Sequence, residues 1–399
     1  MAANPRESAS ASPDLYFVVA GEPSGDLHGS HLLSALTKQE PSARFVGFGG
    51  TKMAAAGLTV LEDLPSQAIM GIFPVLAALP KIKSWFRIAE KTLRERRPRA
   101  LILIDYPGFN LRLATKAKQM GIPVLFYISP QVWAWRQKRV HRIARVVDLL
   151  IPILPFEAIY YADTELRCEY VGNPLVDHLS LTAPKPEFVA ELRRNSSPII
   201  GVFPGSRAHV VESLAPVMVE ALQLLRNRPG LKDLHCIFAA ADEKLAAKLR
   251  TIGELKDLNH RIVVADPYSV MDAADFCLST SGTTTLELAL KSKPSILAYR
   301  VSAPFYFLGK ALIRVPHIGL VNLIAGREVV PEHIGVRSFA KALVLDLERL
   351  FNDEDFRANM LEGMREVQQK LGGPGAYDRA AKLMLDYLSS NSATFAKDS

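Results

Sequence analysis

LSTSGTTTLE, at residues 278–287, joins a short apolar run to an apolar helical pattern. The order predicts a buried strand, a Ser/Gly/Thr turn and a helix. Because the first turn of a helix carries unbonded backbone N–H groups and a partial positive charge, it suits an anion. Glu287, one turn further on, is placed to reach neutral hydroxyl groups such as a ribose diol. The stretch therefore indicates a site for a nucleotide sugar, and an ordinary helix cap is the alternative.

The same strand, turn and helix order recurs along the chain, which predicts an α/β fold built on parallel sheets. The loops at the carboxyl ends of such strands meet at one edge of the sheet, where ligands bind. Residues from 336 to about 389 carry helical patterns only. The predicted strands lie at 15–20, 44–48, 100–104, 124–128, 149–153, 198–203, 234–239, 261–264, 274–278 and 295–298.

The length of 399 residues is enough for two or three domains. Residues 1–13 predict a disordered tail rather than a signal peptide, because they lack an apolar segment. A proline-rich stretch at 173–187 predicts a linker between two Rossmann-like domains. The predicted boundaries are 14–176 for the first domain and 177–372 for the second, which carries the candidate nucleotide-sugar site. Residues 373–399 predict a C-terminal helix and tail that pack on the first domain or on a partner chain.

The net charge of +7 and the pI of about 9.2 favour anionic partners. Cys168, Cys236 and Cys277 are far apart, which indicates buried thiols rather than disulfides or a zinc site. The longest uncharged apolar run, 69–80, is shorter than the roughly 17–25 residues of a membrane-spanning helix. The sequence has no H-E-x-x-H or Walker motif and no D-x-D carboxylate pair of the metal-binding kind, so we expect chemistry without a metal or other cofactor.

Polar loops follow the predicted strands and supply the candidate ligand-binding residues. In the second half, a glycine turn and an arginine suited to bidentate phosphate contacts accompany the opening turn, although a surface arginine is the alternative. The candidates for the nucleotide are Gly205, Ser206, Arg207, Ser281, Gly282, Thr283, Thr284 and Glu287. The candidates for the acceptor and the cleft are Glu22, Ser24, Gly25, Asp26, Asn110, Ser129, Gln131, Trp133, Trp135 and Arg136.

Two stretches favour a membrane or another anionic surface. Met70, Ile72 and Phe73 belong to an apolar patch that precedes a basic helix, with eight Lys or Arg and two Glu between residues 81 and 99. A core-facing helix with a solvated basic side is the alternative. Residues 133–145 combine two tryptophans with basic residues, a composition compatible with nucleic acid, with phosphate and sugar, or with an anionic lipid head. Since no nucleic-acid motif accompanies them, we expect no nucleic-acid partner.

An ordered set of motifs resembles the lipid-A-disaccharide synthase family of metal-independent glycosyltransferases. The set spans the chain from residue 15 to the C-terminal helices, and its order makes it specific. The motifs are AGEPSGD (20–26), IMGI (69–72), IDYPGFN (104–110), SPQVWAWR (129–136), LPFE (154–157), PGSR (204–207), SGT (281–283) with Glu287, and NLIAG (322–326).

The resemblance implies two Rossmann-like doubly wound domains that face a cleft, the GT-B type, with C-terminal helices. The first domain would take the acceptor and the membrane, and the second the UDP-sugar. It implies transfer of 2,3-diacylglucosamine from UDP to the 6-hydroxyl of 2,3-diacylglucosamine 1-phosphate, with inversion, to give the β-1,6 disaccharide of lipid A. It further implies peripheral binding to the cytoplasmic face of the inner membrane of a Gram-negative bacterium, and a homodimer through the C-terminal helices. The chain departs from the family pattern at Pro74, Gly108, Asn173 and Gly335.

By position the resemblance assigns Asp105 as the catalytic base. Arg207, Ser281, Gly282, Thr283, Glu287 and Asn322 match its UDP-binding motifs, and Glu332 is a further expected nucleotide contact. A carboxylate that orders the turn at 107–108 or caps the following helix is the alternative for Asp105. Glu22 and Asp26 are the other candidate bases.

Two other functions compete with this one. The first is a glycosyltransferase or epimerase of the same fold that acts on another UDP-sugar. The second is a membrane-binding protein that senses nucleotide sugars without catalysis. Asp105 discriminates between catalysis and sensing, because a sensor needs no base at the end of that strand.

Overall fold

A computed structural model describes residues 12–67, 79–135, 137–194, 197–304, 306, 309 and 315–391. The chain folds into two compact units. The first comprises residues 1–177 together with 373–399, and the second comprises residues 178–372.

The first unit is built on seven parallel strands, whose mostly apolar residues suit a sheet covered by helices on both faces. The strands are β1 (Ser12–Ala20), β2 (Arg44–Phe48), β3 (Leu58–Glu62), β4 (Pro98–Ile104), β5 (Val124–Tyr127), β6 (Leu149–Ile151) and β7 (Arg167–Cys168). The helices are α1 (Pro23–Gln39), α2 (Thr51–Ala55), α3 (Leu79–Arg96), α4 (Pro107–Gln119), α5 (Val132–Trp135), α6 (Val140–Ala144) and α7 (Pro174–Leu181), which continues into the second unit.

The strand order is β3-β2-β1-β4-β5-β6-β7. The order reverses between β1 and β4, where the loops that leave two neighbouring strands run to opposite sides and open a crevice at the carboxyl edge. On one face of the sheet a core cluster contains Trp85 and Leu93 of α3 and Leu113 of α4. On the other face a cluster joins Leu32 and Leu36 of α1 to the last helix of the chain.

The second unit is built on six parallel strands in the order β10-β9-β8-β11-β12-β13, with its reversal between β8 and β11. The strands are β8 (Ile199–Phe203), β9 (His235–Ala240), β10 (His260–Val264), β11 (Phe276–Thr280), β12 (Ser295–Arg300) and β13 (Glu332–Gly335). The helices are α8 (Pro186–Leu192), α9 (Ala208–Arg226), α10 (Glu243–Arg250), α11 (Pro267–Ala273), α12 (Thr283–Leu290), α13 (Leu320–Ala325), α14 (Ala340–Asn352) and α15 (Glu354–Leu371).

The last helix, α16 (Ala376–Ser390), packs against α1 of the first unit. Ala380, Ala381 and Met384 on its inner face are fully buried in the core cluster of that unit. Among the described residues, α9 is the one helix whose length and apolar composition would allow it to span a membrane. Half of its apolar window is buried in the second unit, as is common for a core helix.

The two parallel sheets with covering helices confirm the predicted α/β class with two Rossmann-like sheets and C-terminal helices. Three details differ from the predictions. The 173–187 stretch contains the boundary between the two units, at 177/178, but it is mostly helical rather than irregular, because α7 and α8 occupy most of it. β1 begins at Ser12, inside the predicted tail. β3 and β13 were not predicted, and both are sparsely buried edge strands.

Candidate functional site

Two loops meet at the carboxyl edge of the second sheet, where the strand order reverses. β8 and β11 are hydrogen-bonded neighbours, with Phe203 opposite Ser279, so the segments that follow them leave the sheet side by side. A Cβ atom added at Gly205 would lie 3.3 Å from Thr280 Cγ2, and the φ of Gly205 is 119°, which favours glycine. The structure therefore brings the PGSR turn and the Ser/Gly/Thr turn together.

Both turns open onto the start of a helix. Arg207 is exposed and directly precedes α9, next to the exposed Ser206. Gly282, with a φ of 147°, precedes α12, and no side chain caps that helix terminus. Gly282 and Thr283 are exposed, whereas Ser281 and Thr284 are half-buried. This combination of a cation and free helix termini is suited to a diphosphate.

Glu287 lies one turn inside α12 and is held by a tyrosine. The Tyr268 hydroxyl of α11 donates a hydrogen bond of 2.9 Å to Glu287 Oε1. Burial raises the pKa of Glu287, while the Tyr268 hydrogen bond and the charge of Lys291 oppose that shift. An oriented carboxylate next to a helix start is the arrangement that the sequence predicted for a ribose diol.

Asn322 and Glu332 form a network within the protein. Asn322 is fully buried; its amide donates to Val330 O and to Glu332 Oε1, and its carbonyl accepts from the N–H groups of Val329 and Val330. Glu332 also accepts from the backbone N–H groups of Ile318 and Gly319, both at 2.9 Å. The predicted nucleotide contacts of these two residues stay predictions, and the structure shows that both hold the 318–332 region together.

At the edge of the first sheet, the loop after β1 touches the loop after β4. A Cβ atom added at Gly21 would lie 2.3 Å from the Tyr106 ring, so only glycine allows this contact. Glu22 of this loop is half-buried, and in the first turn of α1, which follows it, Ser24 is exposed and Gly25 is buried. The structure therefore places Glu22 and Ser24 of the AGEPSGD motif beside the IDYPGFN motif.

Asp105 occupies a strained position directly after β4. Asp105 and Tyr106 both have a φ of 48°, which is uncommon for residues other than glycine and is often found at functional sites. The fully buried Asn110 stabilises this turn, because its amide donates to the backbone oxygen of Asp105 at 2.7 Å. Burial raises the pKa of the Asp105 carboxyl to about 6, with a further contribution from the negative charge of Glu22.

Asp26 has a structural role. It is 5% exposed, and its carboxylate accepts hydrogen bonds from the backbone N–H groups of Gly50, Lys52 and Met53 at the start of α2. These three bonds occupy the carboxylate oxygens at the helix terminus. Asp105 is therefore better placed than Asp26 to accept a proton.

The loop after β5 carries several predicted acceptor residues. Gln131 is exposed, while Ser129 and Trp133 are each 4% exposed. Ser129 Oγ lies 3.4 Å from the Tyr161 hydroxyl. Trp133 Nε1 donates a hydrogen bond of 3.0 Å to Glu157, a residue of the LPFE motif. Trp135 lies in α5, and Arg136 and the predicted membrane residues Met70, Ile72 and Phe73 lie outside the described residues.

Sequence reasoning missed three residues of these sites. Tyr268 orients Glu287, Glu157 binds Trp133, and Thr280 has a buried hydroxyl with no hydrogen-bonding partner among the described residues. Thr280 and Glu157 lie in stretches that the sequence singled out, so their motifs were the available signal. Tyr268 carries no local signal, because its partner is 19 residues away.

Comparison with known proteins shows which family the sequence matches. The sequence model described as "Lipid-A-disaccharide synthetase" matches residues 16–384. A protein of Syntrophotalea carbinolica named lipid-A-disaccharide synthase is 38% identical over 374 residues, which cover 93% of this chain and 95% of the relative. A protein of the same name from Geobacter metallireducens is 38% identical over 376 residues, which cover 93% of this chain and 96% of the relative.

Solved structures of glycosyltransferases and epimerases have a similar fold. The calicheamicin glycosyltransferase CalG4 matches with a TM-score of 0.59 and 15% identity, over 95% of this chain and 99% of the other. The UDP-GlcNAc 2-epimerase from Neisseria meningitidis, solved with UDP-GlcNAc, matches with a TM-score of 0.61 and 12% identity, over 94% and 99%. At these identities the likeness shows the fold alone.

Proposed function

Because this chain belongs to the lipid-A-disaccharide synthase family, we propose that it transfers 2,3-diacylglucosamine from UDP to the 6-hydroxyl of 2,3-diacylglucosamine 1-phosphate. The products are the β-1,6-linked lipid A disaccharide 1-phosphate and UDP. The observation that carries the proposal is the family match over residues 16–384, which includes both sheets. The sites at the two strand-order reversals support it, because each has the chemistry that one substrate requires.

The second unit binds the donor. The exposed Arg207 and the uncapped start of α12 contact the diphosphate, and Glu287 accepts hydrogen bonds from the ribose hydroxyls. As the bond between the anomeric carbon and the phosphate oxygen breaks, negative charge grows on the diphosphate. Arg207 and the helix start are groups that stabilise such a charge without a metal ion.

The first unit activates the acceptor. The oxygen of the 6-hydroxyl attacks the anomeric carbon, its proton passes to the Asp105 carboxylate, and UDP leaves with the electron pair of the broken bond. Asp105 suits this role because its pKa of about 6 leaves it ionised at neutral pH and raises its basicity above that of an ordinary aspartate. Glu22, Ser24 and Gln131 lie at the same edge and are available to contact the acceptor.

We assign the enzyme to the cytoplasmic face of the inner membrane of a Gram-negative bacterium, bound peripherally. Among the described residues, α3 supports this location. Its Lys83, Arg87 and Arg94 are exposed on the face opposite the buried Trp85 and Leu93. Anionic lipid attracts such a face. The homodimer through the C-terminal helices stays a prediction, which light scattering at several concentrations measures.

The test of the reaction uses the purified chain with UDP-2,3-diacylglucosamine and 2,3-diacylglucosamine 1-phosphate in mixed micelles. Mass spectrometry should detect the disaccharide and UDP in equal amounts, and proton NMR should show a β-1,6 linkage. Activity should persist in excess EDTA, which tests the predicted independence of metals. Turnover of the donor alone, with an epimerised sugar as product, would instead support an epimerase. The likeness to epimerase structures shows the fold alone and does not favour that alternative.

A further inference from the structure

Glu157 is a buried carboxylate that the proposed reaction does not use. It is 1% exposed and opens the 3₁₀ turn Glu157–Tyr161, in the segment that follows β6. One oxygen accepts from Trp133 Nε1 at 3.0 Å. The other accepts from the backbone N–H groups of Leu154 and Ile153, at 3.0 Å and 3.2 Å. The carboxylate thus joins the loop after β6 to the loop after β5.

This bridge lies at the same edge of the sheet as Asp105. β4, β5 and β6 are consecutive neighbours in the sheet, and the segments of Asp105, Trp133 and Glu157 leave their carboxyl ends in that order. The negative charges of Asp105 and Glu157 also interact, and Asp105 contributes to the raised pKa of Glu157, which burial brings to about 7.

The other groups around Glu157 are acids. Burial raises the pKa values of Tyr161, Cys168 and Tyr170, and the Glu157 charge adds a smaller contribution to each, while Arg379 opposes the shift at Tyr170. Within the described ranges, no ion pair includes Glu157. A buried carboxylate without a cation is costly unless donors satisfy it, so the Trp133 and backbone N–H groups are what stabilise its ionised form.

We propose that Glu157 is a positioning residue for the transfer reaction: its carboxylate fixes the Trp133 indole and so holds the 129–135 loop in place beside Asp105. The proposal rests on the proposed function, because the loop carries the predicted acceptor contacts Ser129 and Gln131. It makes Glu157 act through Trp133, without contact with the substrate.

The first experiment observes the bridge without activity. The full chain contains three tryptophans, so labelling with 5-fluorotryptophan gives three fluorine resonances, and Trp133→Phe identifies one of them. The Trp133 resonance should shift with pH with a midpoint near 7, as Glu157 ionises. In Glu157→Gln the resonance should not titrate in this range. A resonance that titrates identically in both proteins would overturn the bridge.

The second experiment measures kcat and KM for each substrate between pH 5 and 9. Glu157→Gln and Trp133→Phe should each lower kcat/KM for the acceptor by about tenfold, as expected for loss of a hydrogen bond to a charged group, with UDP affinity unchanged. The double variant should have a kcat/KM no lower than that of the less active single variant, because both changes remove the same charge-assisted contact. Additive losses, or equal losses of UDP affinity, would show general damage and overturn the positioning role.

The pH dependence of the Trp133 resonance separates positioning beside Asp105 from a purely structural role. The Asp105 charge contributes to the raised pKa of Glu157, so in Asp105→Asn the midpoint of this resonance should move to lower pH. Glu40→Gln is the matched control, since Glu40 binds Tyr16 and Arg99 at the opposite edge of the same sheet. It should leave the midpoint unmoved. A midpoint that stays in place in Asp105→Asn contradicts the proposal.

The two proposals fail separately. A wild-type chain that makes no disaccharide overturns the proposed function, and with it the reaction assigned to Glu157. An active wild type whose Glu157→Gln and Trp133→Phe variants are equally active overturns the positioning role alone.

Discussion

Asp105, the expected base of the reaction, has a strained backbone and a raised pKa. Asp105→Asn keeps the shape and removes the basicity, so turnover should fall by about 10²-fold or more while UDP affinity stays unchanged. The pKa is raised from 3.8 to about 6, so the base is ionised above pH 6 and protonated below it. In the wild type kcat/KM should therefore fall about tenfold per pH unit below pH 6, as steady-state rates at several pH values can show.

Asp26→Asn is the matched comparison for Asp105→Asn. It removes an acceptor from the start of α2, so it should lower the free energy of unfolding by about 1 kcal/mol, with little effect on the turnover of the folded fraction. Near-normal turnover in Asp105→Asn with a chemistry-limited rate would transfer the base to Glu22, which faces the same edge.

The proposed ribose contact of Glu287 depends on Tyr268. Tyr268→Phe removes the 2.9 Å hydrogen bond, which contributes roughly 0.5–1.5 kcal/mol, so UDP affinity should fall about two- to tenfold. Affinity for 2′-deoxy-UDP, which lacks one ribose hydroxyl, should fall less. Calorimetry with both nucleotides measures the ratio of the two affinities.

Arg207→Ala provides the contrast for Tyr268→Phe. Its lost phosphate contact, roughly 1.5–3 kcal/mol, should weaken UDP and 2′-deoxy-UDP equally, by about tenfold or more. If Tyr268→Phe weakens both nucleotides equally, Glu287 does not bind the ribose. If Arg207→Ala leaves both affinities unchanged, Arg207 is not part of the site.

At the residue scale, the sequence identified the polar residues but could not show which of their polar atoms are already hydrogen-bonded within the protein and which remain available to a ligand. Asp26, Asn322 and Glu332 were all predicted ligand contacts, yet their polar atoms bind backbone groups from distant segments. Those partners lie 7 to 27 residues away and are brought close only by the fold. A motif therefore predicts where a site lies more reliably than it predicts the role of each residue in it.

At the element scale, Asp177 shows how α16 is held in the first unit. Its carboxylate, 8% exposed, accepts from the backbone N–H groups of Gly375 and Ala376 at the start of α16. Asp177→Ala leaves both N–H groups without an acceptor and should lower the free energy of unfolding by about 1–2 kcal/mol. Urea unfolding monitored by circular dichroism measures this loss.

Asp378→Ala is the control at the other side of the same helix start. Asp378 is exposed and pairs with the exposed Lys38, and such a surface pair contributes little. The change should stay within about 0.5 kcal/mol. Equal effects of the two substitutions would mean that charge near the helix start, rather than the two hydrogen bonds of Asp177, stabilises α16.

The element predictions succeeded where apolar runs were long and failed where proline or sparse burial obscured them. Proline at 174 and 186 indicated a linker, but both residues open helices, where the missing N–H costs nothing and the fixed φ is favourable. β13 has four half-buried residues and no apolar run of strand length. Its identity depends on pairing with β12, which a local pattern does not contain.

At the scale of the whole molecule, both units place their candidate site at the reversal of strand order. β1 and β4 flank Glu22 and Asp105, and β8 and β11 flank Arg207 and the start of α12. The two sets of residues differ in charge in the way their substrates demand. In the proposed reaction, the first set presents carboxylates to a hydroxyl that must lose a proton, and the second presents a cation and a helix terminus to a diphosphate.

The attachment of the whole protein to a membrane can be tested on α3. Lys83, Arg87 and Arg94 recur on one helical face and are exposed, and each contributes about 1 kcal/mol near anionic lipid. Replacement of all three by Gln should therefore weaken binding to anionic liposomes by roughly 100-fold. In flotation assays the wild type should float at low salt and less at high salt, because salt screens these charges.

A matched variant with Lys232, Lys244 and Lys256 of the second unit changed to Gln removes the same charge from exposed positions elsewhere, and it should float like the wild type. If the two triple variants float alike, net charge rather than α3 governs the attachment.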